Sequence, residues 1–326
     1  MQMFVHLLLI SCIFALATPA GAAEKNRTFR TWLAELRAEA RTAGISQQTI
    51  DKALATVWTP RNQVIRLDRN QPEFKQSLKA YVANRINDRR VANGRTMLRR
   101  YPTWLGRVEQ RYGVQRRFIL ALWGIETGYG ENSGNFPVIR SLVTLAYDSR
   151  RSDYFRGELI EALRILDAGQ VRLARMKGSW AGAMGQCQFM PSAFRDFAVD
   201  ADHSGRIDIW GSIPDVLGSI ANYLSRSGWK DDQTWGREVK LPKGFDFSVV
   251  GLETRLPLSR WQALGVRRSN GRTLPRREIE ASLILPDGPK GPAYLVYDNF
   301  RVLRRWNRSN AFAVAVGTLA DRLAAP

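Results

Sequence analysis

Cysteine and histidine are the scarcest reactive side chains in this chain, with two of each in 326 residues. Charged residues are missing altogether from positions 1–23, where Phe4 to Ala17 is apolar and Ala20-Gly21-Ala22-Ala23 offers a small-residue cleavage site. That pattern predicts a secretory signal peptide, although the usual basic start is missing too. Leu9-Ile10-Ser11-Cys12 resembles a lipobox, so a lipid anchor on Cys12 is the less favoured alternative to simple release into the periplasm. Cleavage removes His6 and Cys12 and leaves His203 and Cys187. The mature chain then cannot form an internal disulfide or a multi-histidine zinc site. A Ser-His-Asp or Cys-His triad would have to use His203, which lies in a polar loop. Hydrolytic chemistry, if present, falls to carboxylates.

Other absences narrow the class further. No later segment has 18 uninterrupted apolar residues, so no transmembrane helix is expected. No repeat or low-complexity tract is present. Acidic residues are in deficit, 30 against 49 Lys and Arg, and the net charge is +19. Such a charge favours anionic partners such as nucleic acid, acidic lipid or an acidic wall polymer. The arginines are spread along the chain rather than gathered in an arm, and no nucleic-acid-binding motif appears. Hydrophobic residues at 44% and aromatics at 10% exclude disorder.

What is there centres on Trp123-Gly124-Ile125-Glu126-Thr127-Gly128-Tyr129-Gly130. The uncharged run Phe118–Trp123 reads as a core helix, which puts Glu126 at its end, half out of water. Burial disfavours the charged form of a carboxylate. A carboxyl group kept protonated near neutral pH can act as a general acid. Gly128 and Gly130 let the backbone turn beside it. A helix-terminal Glu before an ordinary cap is the competing reading.

Residues 28–100 read as helical, with Gly44 as a stop, Ser46 as the next N-cap and one long amphipathic segment over 74–99. Further helices are expected over Trp104–Glu109, Arg117–Ile125, Val138–Ala146, Tyr154–Leu166, Pro214–Arg226 and Asn310–Leu323. Between them, residues 178–192 are rich in Gly and amide side chains and suit hydrogen bonds to a polar ligand. Pro191 opens a short helix to about Val199. Asp200-Ala201-Asp202-His203-Ser204-Gly205-Arg206-Ile207-Asp208 has calcium-loop spacing, with oxygen side chains at positions 1, 3, 5 and 9 and Gly at 6. Position 12 is Gly211, so Asp215 would have to supply the missing carboxylate. Ile279–Leu285 and Ala293–Tyr297 flank a Pro-Asp-Gly-Pro turn and read as a hairpin.

Trp123–Gly130 taken with Gly182-Ala183-Met184-Gly185-Gln186-Cys187-Gln188-Phe189-Met190-Pro191-Ser192 resembles the B-type lytic murein transglycosylases. Arg150-Arg151, Gly218–Leu224, Asn299-Phe300 and Trp306-Asn307 fall in the order that family shows. The resemblance implies a mainly α fold with a lysozyme-like α+β core over 111–229. It also implies a helical N-terminal lobe over 24–110, a small β-containing insertion over 230–298 and a closing helical segment over 299–326. It implies cleavage of the β-1,4 bond between N-acetylmuramic acid and N-acetylglucosamine without water, leaving 1,6-anhydro ends. Glu126 would be the single acid/base. Ser179, Gln188, Tyr223 and Asn307 would line the groove. Arg150 and Arg151 would face the stem peptide, and Tyr81 would enter from the N-terminal lobe. Trp306 and Phe312 would keep an aromatic wall where relatives often carry Tyr. The EF-hand-like loop over 200–215 would offer Asp200, Asp202, Ser204, the Arg206 carbonyl, Asp208 and Asp215 to a structural Ca²⁺, with no cofactor required. The expected partner is peptidoglycan glycan, met by a monomer. The runner-up is a non-catalytic binder of wall glycan or another anionic polymer.

Overall fold

The computed structural model describes residues 28–70, 76–148 and 151–325. The expected signal peptide, Cys12 and Arg150 lie outside the described residues. The N-terminal lobe holds α1 (Phe29–Thr42), α2 (Gln47–Leu54), α3 (Asn62–Arg69), α4 (Leu78–Arg85), α5 (Asp88–Arg100) and α6 (Pro102–Tyr112). Ser46 caps α2 as its sequence predicts, its side chain accepting from the Thr49 N–H. The single segment expected over 74–99 is instead two helices. Asn87 interrupts it, because its side chain accepts from the Arg90 N–H at 2.9 Å and starts a new helix there.

Next come α7 (Arg116–Thr127), α8 (Val138–Tyr147), α9 (Ser152–Asp167), α10 (Pro191–Phe197) and α11 (Ile213–Arg226). Two short strands, β1 (Phe136–Pro137) and β2 (Lys177–Gly178), pair antiparallel between them, and Met184 bridges both Gly178 and Phe189. This small β element holds the Gly-rich segment against α8.

The β-containing insertion forms β3 (Gly236–Lys240), β4 (Leu256–Pro257), α12 (Leu258–Ala263), β5 (Arg267–Arg268), β6 (Glu280–Ile284) and β7 (Ala293–Val296). The strands make one antiparallel sheet in the order β4-β6-β7-β3-β5. The expected hairpin is β6 with β7, in register Leu283 to Leu295. The chain closes with α13 (Asp298–Trp306) and α14 (Asn310–Ala324). The closing helical segment expected over 299–326 is two helices, and residue spacing alone did not mark α13 as a separate one, because Arg301, Arg304 and Arg305 obscure its short apolar stripe of Phe300, Val302 and Leu303.

Two hydrophobic cores result. The larger runs continuously from Trp32 through the helices to Leu323, so the lobe over 24–110 and the core over 111–229 share buried side chains. The smaller is built on Trp261, Leu283, Leu295 and Tyr297 within the sheet region. Helix α7 is the centre of the first. Its residues Phe118 to Ile125 are all buried, which is why the run carries no charge. Helices α5, α6, α11 and α14 pack around it.

Helix α14 can approach the insertion closely because residue 317 has no side chain. A Cβ there would collide with the Trp235 ring. Gly317→Ala is therefore expected to destabilise the fold by about 1–3 kcal/mol through overpacking. Urea unfolding would measure it, and an unchanged midpoint would show that Trp235 yields.

Candidate active site

Glu126 stands on the last turn of α7, half-buried, as the sequence predicts. The helix stops at Gly128, whose left-handed backbone (φ 62°) lets the Tyr129 N–H turn back to the Trp123 carbonyl at 3.3 Å. A buried amide fixes this turn. Gln186 accepts from the Trp123 indole N–H at 3.0 Å and donates to the Trp210 carbonyl at 3.0 Å. Thr127 donates its hydroxyl to the Gln186 carbonyl at 3.1 Å and accepts from the Gly130 N–H. The acid-bearing turn is thus joined to the loop over 182–192.

Glu126 Oε1 accepts a 2.6 Å hydrogen bond from the Trp306 indole N–H. Trp306 is set by aromatic neighbours, with Phe189 at 5.2 Å and Tyr223 at 4.7 Å between ring centroids. Tyr223 also packs against Phe197 at 4.4 Å, and burial raises its phenol pKa above the ordinary range. Helices α10, α11 and α13 therefore deliver one aromatic wall to the carboxylate at the end of α7. Buried Cys187 has a thiol pKa pushed well up, by burial first and then by the Glu126 and Asp215 carboxylates. It is no nucleophile.

Gln188 adopts a left-handed backbone (φ 52°), uncommon for a non-glycine residue. Its amide donates to the Ser133 and Gly185 carbonyls, each at 2.9 Å. Ser179 closes the preceding turn, its Oγ accepting from the Ala183 N–H at 3.1 Å. Asn307 is exposed just beyond Trp306, and its side chain accepts from the Ser309 N–H at 3.0 Å. Ser309 in turn caps α14.

Phe312 is buried in the main core on the first turn of α14. Tyr81 is buried on α4 under the Arg85 guanidinium. Arg151 pairs with the buried Asp68 of α3 at 2.7 Å and lies over the Phe155 ring, while its side chain stays 45% exposed. A cavity of about 430 Å³ between α4, α14 and the sheet shares no residue with the Glu126 cluster.

The acidic loop is tightly organised. Asp200, Asp202 and Asp215 each bring a carboxylate oxygen within 4.8 Å of the others. Asp215 is fully buried and accepts from the Ala201 and Asp208 N–H groups at 2.7 and 2.8 Å. Burial raises its pKa, against those two hydrogen bonds. Asp202 is lowered, chiefly by the Ser212 hydroxyl at 2.7 Å. Ser204 donates its hydroxyl to the Arg206 carbonyl at 3.1 Å. Asp208 stands outside the trio. Its Oδ1 accepts from the Trp210 and Gly211 N–H groups, and Arg175 and Arg206 flank its Oδ2.

The site thus sets a half-buried carboxylate at a helix end beside an aromatic wall and an amide-rich loop, on a lysozyme-like fold. The transglycosylase SLT domain family matches residues 28–321, and this chain belongs to that family. It is 35% identical over 248 residues to membrane-bound lytic murein transglycosylase B of Escherichia coli, covering 72% of this chain and 64% of that protein. The match therefore spans just under two thirds of that relative's length. SltB3 of Pseudomonas aeruginosa, in complex with NAG-anhNAM-pentapeptide, superposes with a TM-score of 0.88 at 46% identity. That match covers 91% of this chain and 80% of SltB3. Slt35 of Escherichia coli, in complex with calcium, superposes with a TM-score of 0.77 at 29% identity, covering 92% and 93% of the two chains.

Sequence reasoning missed Gln186. Its signal was present in the amide-rich loop, but it spends both ends of its amide inside the protein rather than on a ligand. Gln186→Ala would leave the buried Trp123 N–H unpaired. It is expected to cost about 1–3 kcal/mol of stability. Thermal unfolding checks this, and a cost near zero would mean that another acceptor replaces the amide.

Proposed function

We propose that this chain is a peptidoglycan lyase that breaks the β-1,4 bond between N-acetylmuramic acid and N-acetylglucosamine, with Glu126 as acid and then base. The observation that carries the reading is the placement of Glu126, half-buried at the end of α7 against the wall of Trp306, Tyr223 and Phe189. The carboxyl proton passes to the glycosidic oxygen as the C1–O bond breaks. The muramyl C6 hydroxyl attacks C1, and its proton returns to the Glu126 carboxylate. Atoms balance with no water consumed, and the product carries a 1,6-anhydro ring. The aromatic wall suits the apolar faces of a sugar, while Ser179, Gln188 and Asn307 offer hydrogen bonds along the groove. SltB3, similar at 45–46% identity, holds NAG-NAM- and NAG-anhNAM-pentapeptide in its two complexes. Arg151, half exposed beside Asp68, is a cation for stem-peptide carboxylates, and Arg150 precedes it in the sequence. The net charge of +19 favours approach to an anionic wall, and the expected signal peptide supports a periplasmic location. No helix among the described residues is long and apolar enough to cross a membrane.

Glu126→Gln keeps the side-chain shape and removes the proton. It is expected to lower cleavage of purified sacculi by about 10²–10⁴-fold while sacculus binding persists. Mass spectrometry of the wild-type digest should show muropeptides lighter by one water than hydrolysis products. Hydrated ends would make it a hydrolase, and binding without products would make it a glycan binder.

Calcium fits the loop over 200–215 in part. The trio Asp200, Asp202 and Asp215 supplies convergent hard oxygen ligands of the kind Ca²⁺ takes. Ser204 is a neutral substitute, and Asp208 is engaged elsewhere, so binding should be weak and structural rather than catalytic. For a dissociation constant on the order of 1 mM, 10 mM Ca²⁺ would stabilise the fold by ~1.4 kcal/mol. Differential scanning fluorimetry should show a higher Tm in the wild type and none of that rise in Asp202→Ala. A Tm insensitive to Ca²⁺ in both proteins would sink the metal reading.

A further inference from the structure

The 2.6 Å bond from the Trp306 indole to Glu126 Oε1 does more than complete an aromatic wall. An indole N–H is a donor only and has no lone pair with which to accept. A protonated carboxyl group has two unequal oxygens, and its C=O oxygen is the better acceptor. An N–H held on Oε1 therefore makes Oε1 the C=O oxygen and puts the acid proton on Oε2. A tyrosine hydroxyl could donate or accept, and would leave that choice open.

The indole cannot rotate away easily. Its ring is packed by Phe189 and Tyr223, Phe189 pairs through the backbone with Met184, and Tyr223 packs on Phe197. The turn that carries the carboxylate is fixed from its own side by the Trp123–Gln186–Thr127 bonds at the end of α7. Donor and acceptor thus sit on two independently anchored elements 180 residues apart in sequence.

We propose that Trp306 is a positioning residue which assigns the catalytic proton to Oε2 of Glu126 and stabilises the carboxylate once that proton has left. The inference rests on the acid/base role of Glu126 proposed above. Both half-reactions use the same contact. In the first, the proton leaves Oε2 for the glycosidic oxygen while charge builds on a carboxylate that already accepts the indole N–H. In the second, Oε2 takes the proton of the C6 hydroxyl and the N–H remains on Oε1. A hydrogen bond made to the charged form favours that form.

The test removes the donor and keeps the ring. Trp306→Phe, and a protein carrying the isosteric 3-benzothienylalanine at position 306, are assayed on sacculi across pH beside the wild type and Glu126→Gln. Both donor-free proteins should lose about 10–100-fold in kcat, the worth of one hydrogen bond to a charged group, with KM little changed. The basic limb of the kcat/KM profile, which reports loss of the acid in the free enzyme, should move to higher pH. A ¹³C NMR titration of the Glu126 carboxyl in the two donor-free proteins should move in the same direction without substrate. A rise in KM alone, with kcat and the basic limb unmoved, would make Trp306 a sugar platform and overturn the assignment. That result with an inactive Glu126→Gln would leave the proposed function standing. Full cleavage by Glu126→Gln would instead remove the proposed function, and the NMR titration would still decide the carboxyl's dependence on Trp306.

Discussion

Much of the site depends on one buried amide. Gln186 lies 63 residues from Trp123 in sequence, yet it joins the last turn of α7 to the loop that carries Gln188. Without that link, Glu126 would end a helix whose neighbouring loop had no fixed register against it. A buried donor or acceptor left unpaired costs far more than a made bond returns, so the amide admits few alternative arrangements. The Gly-rich character of residues 178–192 follows from the same constraint. Backbone must pass close to backbone there, and a Cβ at Gly178 would meet the Ala183 carbonyl.

This rigidity suits the chemistry proposed for it. A single carboxyl that gives a proton and later takes one back must face the same place twice, so its orientation matters more than its mobility. The indole holds the Glu126 carboxylate, and the helix end and the Gln186 amide hold the turn that carries it. The acidic loop over 200–215 belongs to the same scaffold. Asp208 turns the chain at Trp210, whose carbonyl receives the Gln186 amide, and Asp215 is buried on the first turn of α11, which carries Tyr223. A cation there would reach the catalytic wall through connections of this kind.

Much of this was legible in local sequence. Ser46, Pro191 and Gly128 mark helix ends through side-chain acceptance, a fixed φ and a left-handed cap, all of which act within a few residues. The uncharged run before Glu126 revealed a buried helix for the same reason. Failures of local reading had two physical causes. Over 74–99 an amphipathic pattern concealed a break that depends on the Asn87 side chain competing for a backbone N–H. At α13 the apolar stripe is three residues wide and interleaved with arginines, so periodicity fades although the helix is well packed.

The bond between Trp306 and Glu126 marks where sequence reasoning stops. Sequence alone offers two residues with matching chemistry, a donor and an acceptor, but not their meeting, which needs α7 and α13 to be placed by the whole core. Motif similarity put both at the groove and gave each a separate role, one for protons and one for sugar. Distance joins those roles. An indole offers an aromatic surface without the capacity to accept a hydrogen bond. In the one-acid mechanism proposed, that donor-only character has a direction, since it sets which carboxyl oxygen holds the proton. The choice of ring at this position is then a choice about proton geometry.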